Sequence, residues 1–202
     1  MKRAADQSKA SDAELVSRAQ RGDPAAFGEL VEKYQHRVYN TCYRMCHNHA
    51  DALDLTQSAF LKALEALPRF QVRATFFTWL FRITVNLVLS HRRAQSGRPT
   101  LSLRQFDDDG RRYEPAAVAP GTSDPSRRAE KVELHQRLEA ALQRLDEEFR
   151  VAVLLRDIEG LDYAAIAEIL KVPVGTVKSR IHRGRLMLRE LLQREEPQLG
   201  VG

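Results

Sequence analysis

Over most of this chain apolar residues fall three or four positions apart, and that spacing restricts the fold more than any other feature, because it draws stripes along helices rather than the alternating faces of strands. One series runs Phe27, Leu30, Val31, Tyr34, Val38, Cys42 and Met45. No alternating Val, Ile and Thr runs suggest a sheet. Leu and Ala dominate the apolar residues, while Gly and Pro cluster between the periodic segments. The expected class is all-α, and 202 residues suffice for two small helical cores.

Residues 1–10 are polar and read as a disordered N-terminus without a signal peptide. The first domain spans residues 11–95 in four helices. Ser11 and Glu14 have the spacing of a capping box. Asp23 followed by Pro24 starts a second helix. The third covers residues 50–67 and ends at Pro68, with Leu53, Phe60, Leu64 and Leu67 expected inward and Asp54, Gln57, Ser58, Leu61 and Glu65 on the far side. The fourth covers residues 75–93, with Phe76, Leu80, Ile83 and Leu87 inward. Opposite that stripe recur Arg82, Asn86 and Arg93, with Trp79 close by. Basic side chains can hold phosphates, Asn can make paired hydrogen bonds to a base edge, and an aromatic ring can stack on an unpaired base.

Periodicity vanishes over residues 96–128, where Gly97, Pro99, Asp107 to Gly110, Pro115, Pro120, Gly121 and Pro125 form a stretch unable to bury much apolar surface. This reads as a flexible linker, since a loop of that length is uncommon inside one compact domain. Its Asp107 to Asp109 run is readable equally as a mimic of nucleic-acid charge or as a solubilising stretch.

Asp124 followed by Pro125 restarts helix, and the second domain covers residues 129–194, followed by a tail at 195–202. Leu134, Leu138, Leu142 and Leu145 keep helical spacing, Asp146 is the expected next N-cap, and Gly160 marks that helix's end. A short helix over residues 162–170, with Tyr163, Ile166, Ala167 and Leu170 inward, is broken at residues 171–175. A last helix from about Val174 places Val177, Ile181, Gly184 and Leu188 on one stripe and Thr176, Ser179, His182 and Arg183 near the opposite face, with Lys178, Arg180 and Arg185 alongside. Two short helices around a tight turn, the second basic outside, match a helix-turn-helix whose recognition helix enters the major groove.

A net charge of +5 fits a polyanion partner, and the basic residues concentrate on that helix. Two cysteines, Cys42 and Cys46, cannot make a disulfide framework, which suits a reduced, cytoplasmic chain. Cys42 shares its stripe with Val38 and Met45, so core packing outweighs a metal site built from Cys42, Cys46, His47 and His49. No run is apolar enough for a membrane span. No phosphate-binding Gly loop, HExxH pair or nucleophile elbow appears, so no catalytic residue and no cofactor are expected.

Residues 154–163 (LLRDIEGLDY), then Ile166, Ala167 and residues 172–180 (VPVGTVKSR), resemble sigma-4 of extracytoplasmic-function sigma factors. The resemblance implies reading of the promoter minus-35 element, with Lys178, Ser179, His182 and Arg183 on base edges and Thr176, Arg180 and Arg185 on phosphates. Lys171 stands where the family usually has the turn glycine. Residues 51–60 (DALDLTQSAF) resemble the sigma-2 motif that docks on the polymerase beta-prime clamp helices, which implies a core-polymerase surface at Asp51, Asp54, Gln57, Ser58 and Leu61. Residues 76–86 (FFTWLFRITVN) resemble the segment that engages the minus-10 element as single-stranded DNA, which implies Phe76, Thr78, Trp79, Arg82, Asn86 and Arg93 for that role. Implied partners are core RNA polymerase, at the beta-prime clamp helices and beta flap, promoter DNA and an anti-sigma factor. A rival from another class is a stand-alone helix-turn-helix repressor whose first domain senses a ligand or dimerises; it predicts operator binding without polymerase.

Overall fold

A computed structural model of the protein describes residues 10–71, 74–96 and 125–194. The first bundle contains α1 (Asp12–Gln20), α2 (Pro24–Cys46), α3 (His49–Ala66) and α4 (Phe76–Ser96). Each start has a local cause. The Ser11 hydroxyl accepts the Glu14 amide while the Glu14 carboxylate accepts the Ser11 amide at 2.8 Å, completing the capping box. Asp23 accepts the amides of Ala25 and Ala26, with Pro24 ready-shaped for the first turn. Asn48 caps α3 through the Asp51 amide, and Thr75 receives the Thr78 amide at the start of α4. Pro68 ends α3 in a single 3₁₀ turn, Leu67–Arg69.

Two stripes differ from the sequence reading. Leu53 and Leu64, expected inward on α3, are 51% and 48% exposed, and the buried side is Ala52, Leu55, Ala59, Phe60 and Ala63. The alanines carry no bulk beyond Cβ, so the α3 backbone can close on its neighbours, and the larger Leu side chains turn to the rim. On α4, Ile83 and Leu87 are only half-buried, while Phe76, Trp79, Leu80, Phe81, Thr84, Val85 and Val88 fill the core. The buried Thr84 hydroxyl is satisfied by donating to Leu80 O at 3.0 Å. Cys42 lies in the core, where burial pushes its thiol up to about 12.

The second bundle contains α5 (Pro125–Arg144), α6 (Glu147–Val153), a π turn at Leu154–Ile158, α7 (Tyr163–Leu170) and α8 (Val174–Arg194). Helix α5 starts at Pro125, where the Asp124 and Pro125 pair was expected to restart helix, a few residues before the 129 boundary of the second domain. Residues 97–124, with the Asp107 to Asp109 run, lie outside the described residues, as do residues 1–9 and 195–202. Leu142 and Leu145 are buried, but Leu134 is 60% exposed, since α5 meets the bundle only over its later turns. Asp146 occupies the N-cap of α6 without a side-chain cap bond. Gly160 has φ +73°, the left-handed value that ends this segment. On α7 the buried residues are Ile166 and Ile169; Tyr163, Ala167 and Leu170 are half-buried. Where α8 crosses α6, a Cβ on Gly184 would lie 2.7 Å from Val153 Cγ2, so this crossing requires glycine.

The bundles touch. Arg44 of α2 bonds Glu139 of α5 at 2.7 Å, Arg92 of α4 pairs with Glu147 of α6 at 2.9 Å, and Arg37 and Thr41 of α2 bind Glu159, which follows the π turn. Arg150, 5% exposed, donates to Gln143 O and Leu145 O in its own bundle and to Met45 O at the end of α2.

Candidate nucleic-acid interfaces

The turn between α7 and α8 is built from three local choices. Asp162 caps α7 by accepting the Ala165 amide at 2.7 Å. Lys171 ends it at φ +55°, the left-handed conformation that a glycine would adopt without strain. Pro173 then precedes α8, and its carbonyl accepts the Val177 amide. The buried side of α8 is Val177, Ile181, Gly184 and Leu188, as the spacing predicted. Lys178, Ser179, His182 and Arg183 are consequently exposed together. The Lys178 ammonium lies 5.6 Å from the centroid of the Tyr163 ring, which also carries the Arg156 guanidinium at 4.7 Å, so α7 steadies the base of this face.

Arg180 and Arg185 are already engaged. Arg180 pairs with Glu148 at 2.6 Å, and Arg185 grips Asp157 with two bonds, Nε to Oδ2 at 2.9 Å and Nη2 to Oδ1 at 2.5 Å. The Asp157 carboxylate raises the Arg185 pKa further. These surface pairs, half-buried at Arg180 and exposed at Arg185, contribute about 0–1 kcal/mol each, so phosphate can compete for either guanidinium, at the cost of releasing a carboxylate. Thr176 is half-buried, its carbonyl accepting the Ser179 hydroxyl.

On the first bundle, Arg82 and Arg93 are exposed on α4 and Asn86 is half-buried between them along the helix. Thr78 lies at its start, its hydroxyl 3.0 Å from that of Thr75. Phe76 and Trp79 depart from the sequence expectation: they are 3% and 9% exposed. Trp79 packs on Phe70 with centroids 4.8 Å apart and on Phe76 at 5.6 Å, and Tyr34 closes the cluster. Burying rings of this size stabilises the bundle more than leaving them open would. Their faces are spent on the scaffold, and the rings hold the segment before α4 in place. Residues 72 and 73 lie outside the described residues.

Along α3, Asp54, Gln57 and Leu61 are exposed, while Asp51 and Ser58 are half-buried. Asp51 faces His91 at 3.3 Å and Gln95 of α4 at 3.3 Å, which removes it from the free polar edge. Leu53, Leu61 and Leu64 line a groove with Val31 and Phe60 of the α2–α3 seam, with Asp54 and Gln57 on its lip. The sequence reading placed Leu61 on this surface but not Leu53 and Leu64; the inward alanines were the signal. Among the described residues no group of three or more His, Cys, Asp or Glu is placed to hold a metal ion.

Residues 30–98 match Sigma-70 region 2, and residues 135–188 match Sigma-70, region 4. The chain is 38% identical over 182 residues to the RNA polymerase sigma-H factor of Pseudomonas aeruginosa, covering 90% of this chain and 94% of that one. It is 39% identical over 176 residues to the ECF RNA polymerase sigma-E factor of Escherichia coli, covering 87% and 91%. The chain belongs to the ECF group of sigma-70 factors. This sigma factor also shares its fold with CnrH, solved in complex with the cytosolic domain of CnrY, at a TM-score of 0.64 and 27% identity over 91% of this chain and 98% of that one. A second neighbour is the sigma factor RpoE from Bartonella quintana, solved with the anti-sigma factor NepR, at a TM-score of 0.61 and 27% identity over 84% and 98%. As an alternative sigma factor it directs transcription initiation. The stand-alone repressor reading is set aside because the first bundle is region 2 and not a sensing or dimerising domain.

Proposed function

We propose that the chain acts as a cytoplasmic, non-catalytic initiation factor whose second domain reads the minus-35 element with Lys178, Ser179, His182 and Arg183, while Arg82, Asn86, Arg93 and Thr78 engage the minus-10 element. The observation that carries this reading is the outer face of α8: four polar or basic side chains exposed together on a helix whose other side is locked by Val177, Ile181, Gly184 and Leu188. Arg180, Arg185 and Thr176 take backbone roles after exchange of their internal partners. Phe76 and Trp79 support the minus-10 surface from beneath. The groove lipped by Asp54 and Gln57, with Leu61 exposed, serves core RNA polymerase; Ser58 and Asp51 act at its edge. Because CnrH and RpoE are solved with CnrY and NepR, a proteinaceous inhibitor is the expected controlling partner.

No helix among the described residues is long and apolar enough to cross a membrane. The sequence has no phosphate-binding Gly loop to drive melting, so melting draws on binding energy: opening a base pair costs a few kcal/mol, and the captured base returns it through edge hydrogen bonds. The deciding experiment is transcription in vitro from a library of promoters with core polymerase, with and without this chain. Start sites that require the chain and share minus-35 and minus-10 sequences are expected. Tight, sequence-specific binding by the free chain with no polymerase-dependent transcription would overturn the reading.

A further inference from the structure

Basic side chains on α8 fall into two sets, and the division follows the seating of the helix. Its buried stripe of Val177, Ile181, Gly184 and Leu188 rests on α6, and Gly184 lets the two backbones close, since a Cβ there would meet Val153 Cγ2 at 2.7 Å and Phe149 O at 3.3 Å. Arg180 and Arg185 flank that stripe on its two sides, one beside Ile181 and the other beside Gly184. A carboxylate from the supporting segment meets each of them. Glu148, in the first turn of α6, pairs with Arg180 at 2.6 Å, and Asp157, in the π turn, takes Arg185 by two bonds of 2.9 and 2.5 Å. Lys178 and Arg183, exposed on the outer face, have no carboxylate partner among the described residues.

A helix lying in the major groove has a phosphate ridge on either side. Its flanks therefore make the backbone contacts and its outer face meets base edges. The two guanidiniums best placed for sequence-blind attraction are the two that this chain occupies with its own carboxylates.

We propose that Glu148 and Asp157 are specificity-determining residues: they compete with DNA phosphate for Arg180 and Arg185, and so hold down binding to unmatched duplex. This rests on the reading of α8 as the duplex-reading helix. Binding to an unmatched sequence comes from neutralised phosphates, so withholding two guanidiniums lowers it directly. Exchange of a carboxylate for a phosphate brings little net return there. On a matched sequence Lys178, Ser179, His182 and Arg183 bind base edges and fix the helix in the groove, which presents phosphates to both flanks and lets the exchange go to completion. The loss falls on the unmatched complex, and the ratio of matched to unmatched affinity rises.

The test titrates the full chain against a fluorescent duplex of random sequence, with anisotropy read across a salt series. Glu148→Gln and Asp157→Asn remove the charge and keep the side-chain size, and far-UV circular dichroism checks that every variant keeps its helicity. Each should tighten binding about two- to fivefold, the ratio that a surface ion pair supports. Each should also steepen the salt slope by about one, for the guanidinium it releases. Removing any negative charge favours DNA, so the deciding arm is a cycle. Asp157→Asn in an Arg185→Ala background, and Glu148→Gln in an Arg180→Ala background, should change neither affinity nor slope, because the group that each carboxylate withholds is gone. Unchanged affinity and slope in both single variants overturn the proposal. An equal gain with and without the arginine also overturns it and assigns the effect to general charge, and so does a chain that directs transcription while no form of it binds the random duplex. If the cycle behaves as expected while Lys178→Ala and Arg183→Ala leave minus-35 preference unchanged, the competition stands and the base-reading assignment alone fails.

Discussion

Lys178 and Arg183 are exposed on the outer face of α8, where a guanidinium or ammonium can reach a guanine edge and where, among the described residues, no carboxylate holds them in the way that Glu148 holds Arg180. Replacing either with Ala should change the order of preference among single-base minus-35 variants, by about 1–3 kcal/mol at one position. Binding titrations across such a set check this, and a uniform loss at every variant would reassign both to phosphate. Lys171 offers a separate test, since it is a non-glycine residue at φ +55° with an exposed side chain. The left-handed conformation costs such a residue about 1–2 kcal/mol, part of which glycine returns through its freer unfolded state. Lys171→Gly should therefore raise stability by about 0.5–1 kcal/mol in urea unfolding, with minus-35 preference unchanged. A destabilised variant would mean that the lysine side chain contributes contacts beyond those of the turn.

At the scale of elements, α8 was readable from spacing alone because its buried stripe contains Val177, Ile181 and Leu188 at regular intervals, and Gly184 falls on the same line. The contact of Gly184 with Val153 and the Phe149 carbonyl was not readable, since it depends on how α6 crosses α8. An alanine there gains about 1 kcal/mol of helix propensity but drives a methyl into a stiff, buried Val and a backbone oxygen. Gly184→Ala should lose about 1–2 kcal/mol net, seen as a lower denaturation midpoint. A midpoint at or above wild type would show that α6 and α8 can separate freely. Helix α3 was misread for the opposite reason: Leu53 and Leu64 outrank Ala52, Ala59 and Ala63 in hydrophobicity, yet close backbone approach favours the small residues. The polar edge survives that correction, with Asp54 and Gln57 beside an apolar groove. Replacing both with Ala should keep helicity and weaken binding to core polymerase about tenfold, or about 1.4 kcal/mol, in a direct titration. Unchanged affinity would move the polymerase surface elsewhere.

Across the whole molecule, the residues that join the bundles carried no sequence signal, because Thr41 and Glu159 are 118 positions apart and Arg150 meets the Met45 carbonyl across 105. One of these contacts predicts how stability varies with pH. His47 ends α2 at φ +57°, its ring nitrogen 2.8 Å from Arg150 of the second bundle. Burial first, then the charges of Arg150 and Arg92, the latter paired with Glu147, lower its pKa from 6.5 to about 4. A histidine lowered in the folded chain contributes stability that is present above about pH 6.5 and is lost as the pH falls toward 4, because the unfolded chain takes up the proton first. The shift corresponds to at most about 3 kcal/mol, and solvent screening of a half-buried ring leaves about 1 kcal/mol. Glu159 works in the other direction: burial raises its carboxyl above the ordinary value, so the folded chain gains as protons are added there. Comparison with a His47 variant isolates the histidine, because Glu159 is common to both proteins. Asparagine tolerates the left-handed backbone and cannot be charged, so His47→Asn removes the titration without forcing the turn. Between pH 7.5 and pH 5.5 the wild type should lose about 2–4 °C more in melting temperature than His47→Asn. Equal losses in the two proteins would show that His47 is as free to protonate in the folded chain as in the unfolded one, and that Arg150 does not press on it across the domain boundary.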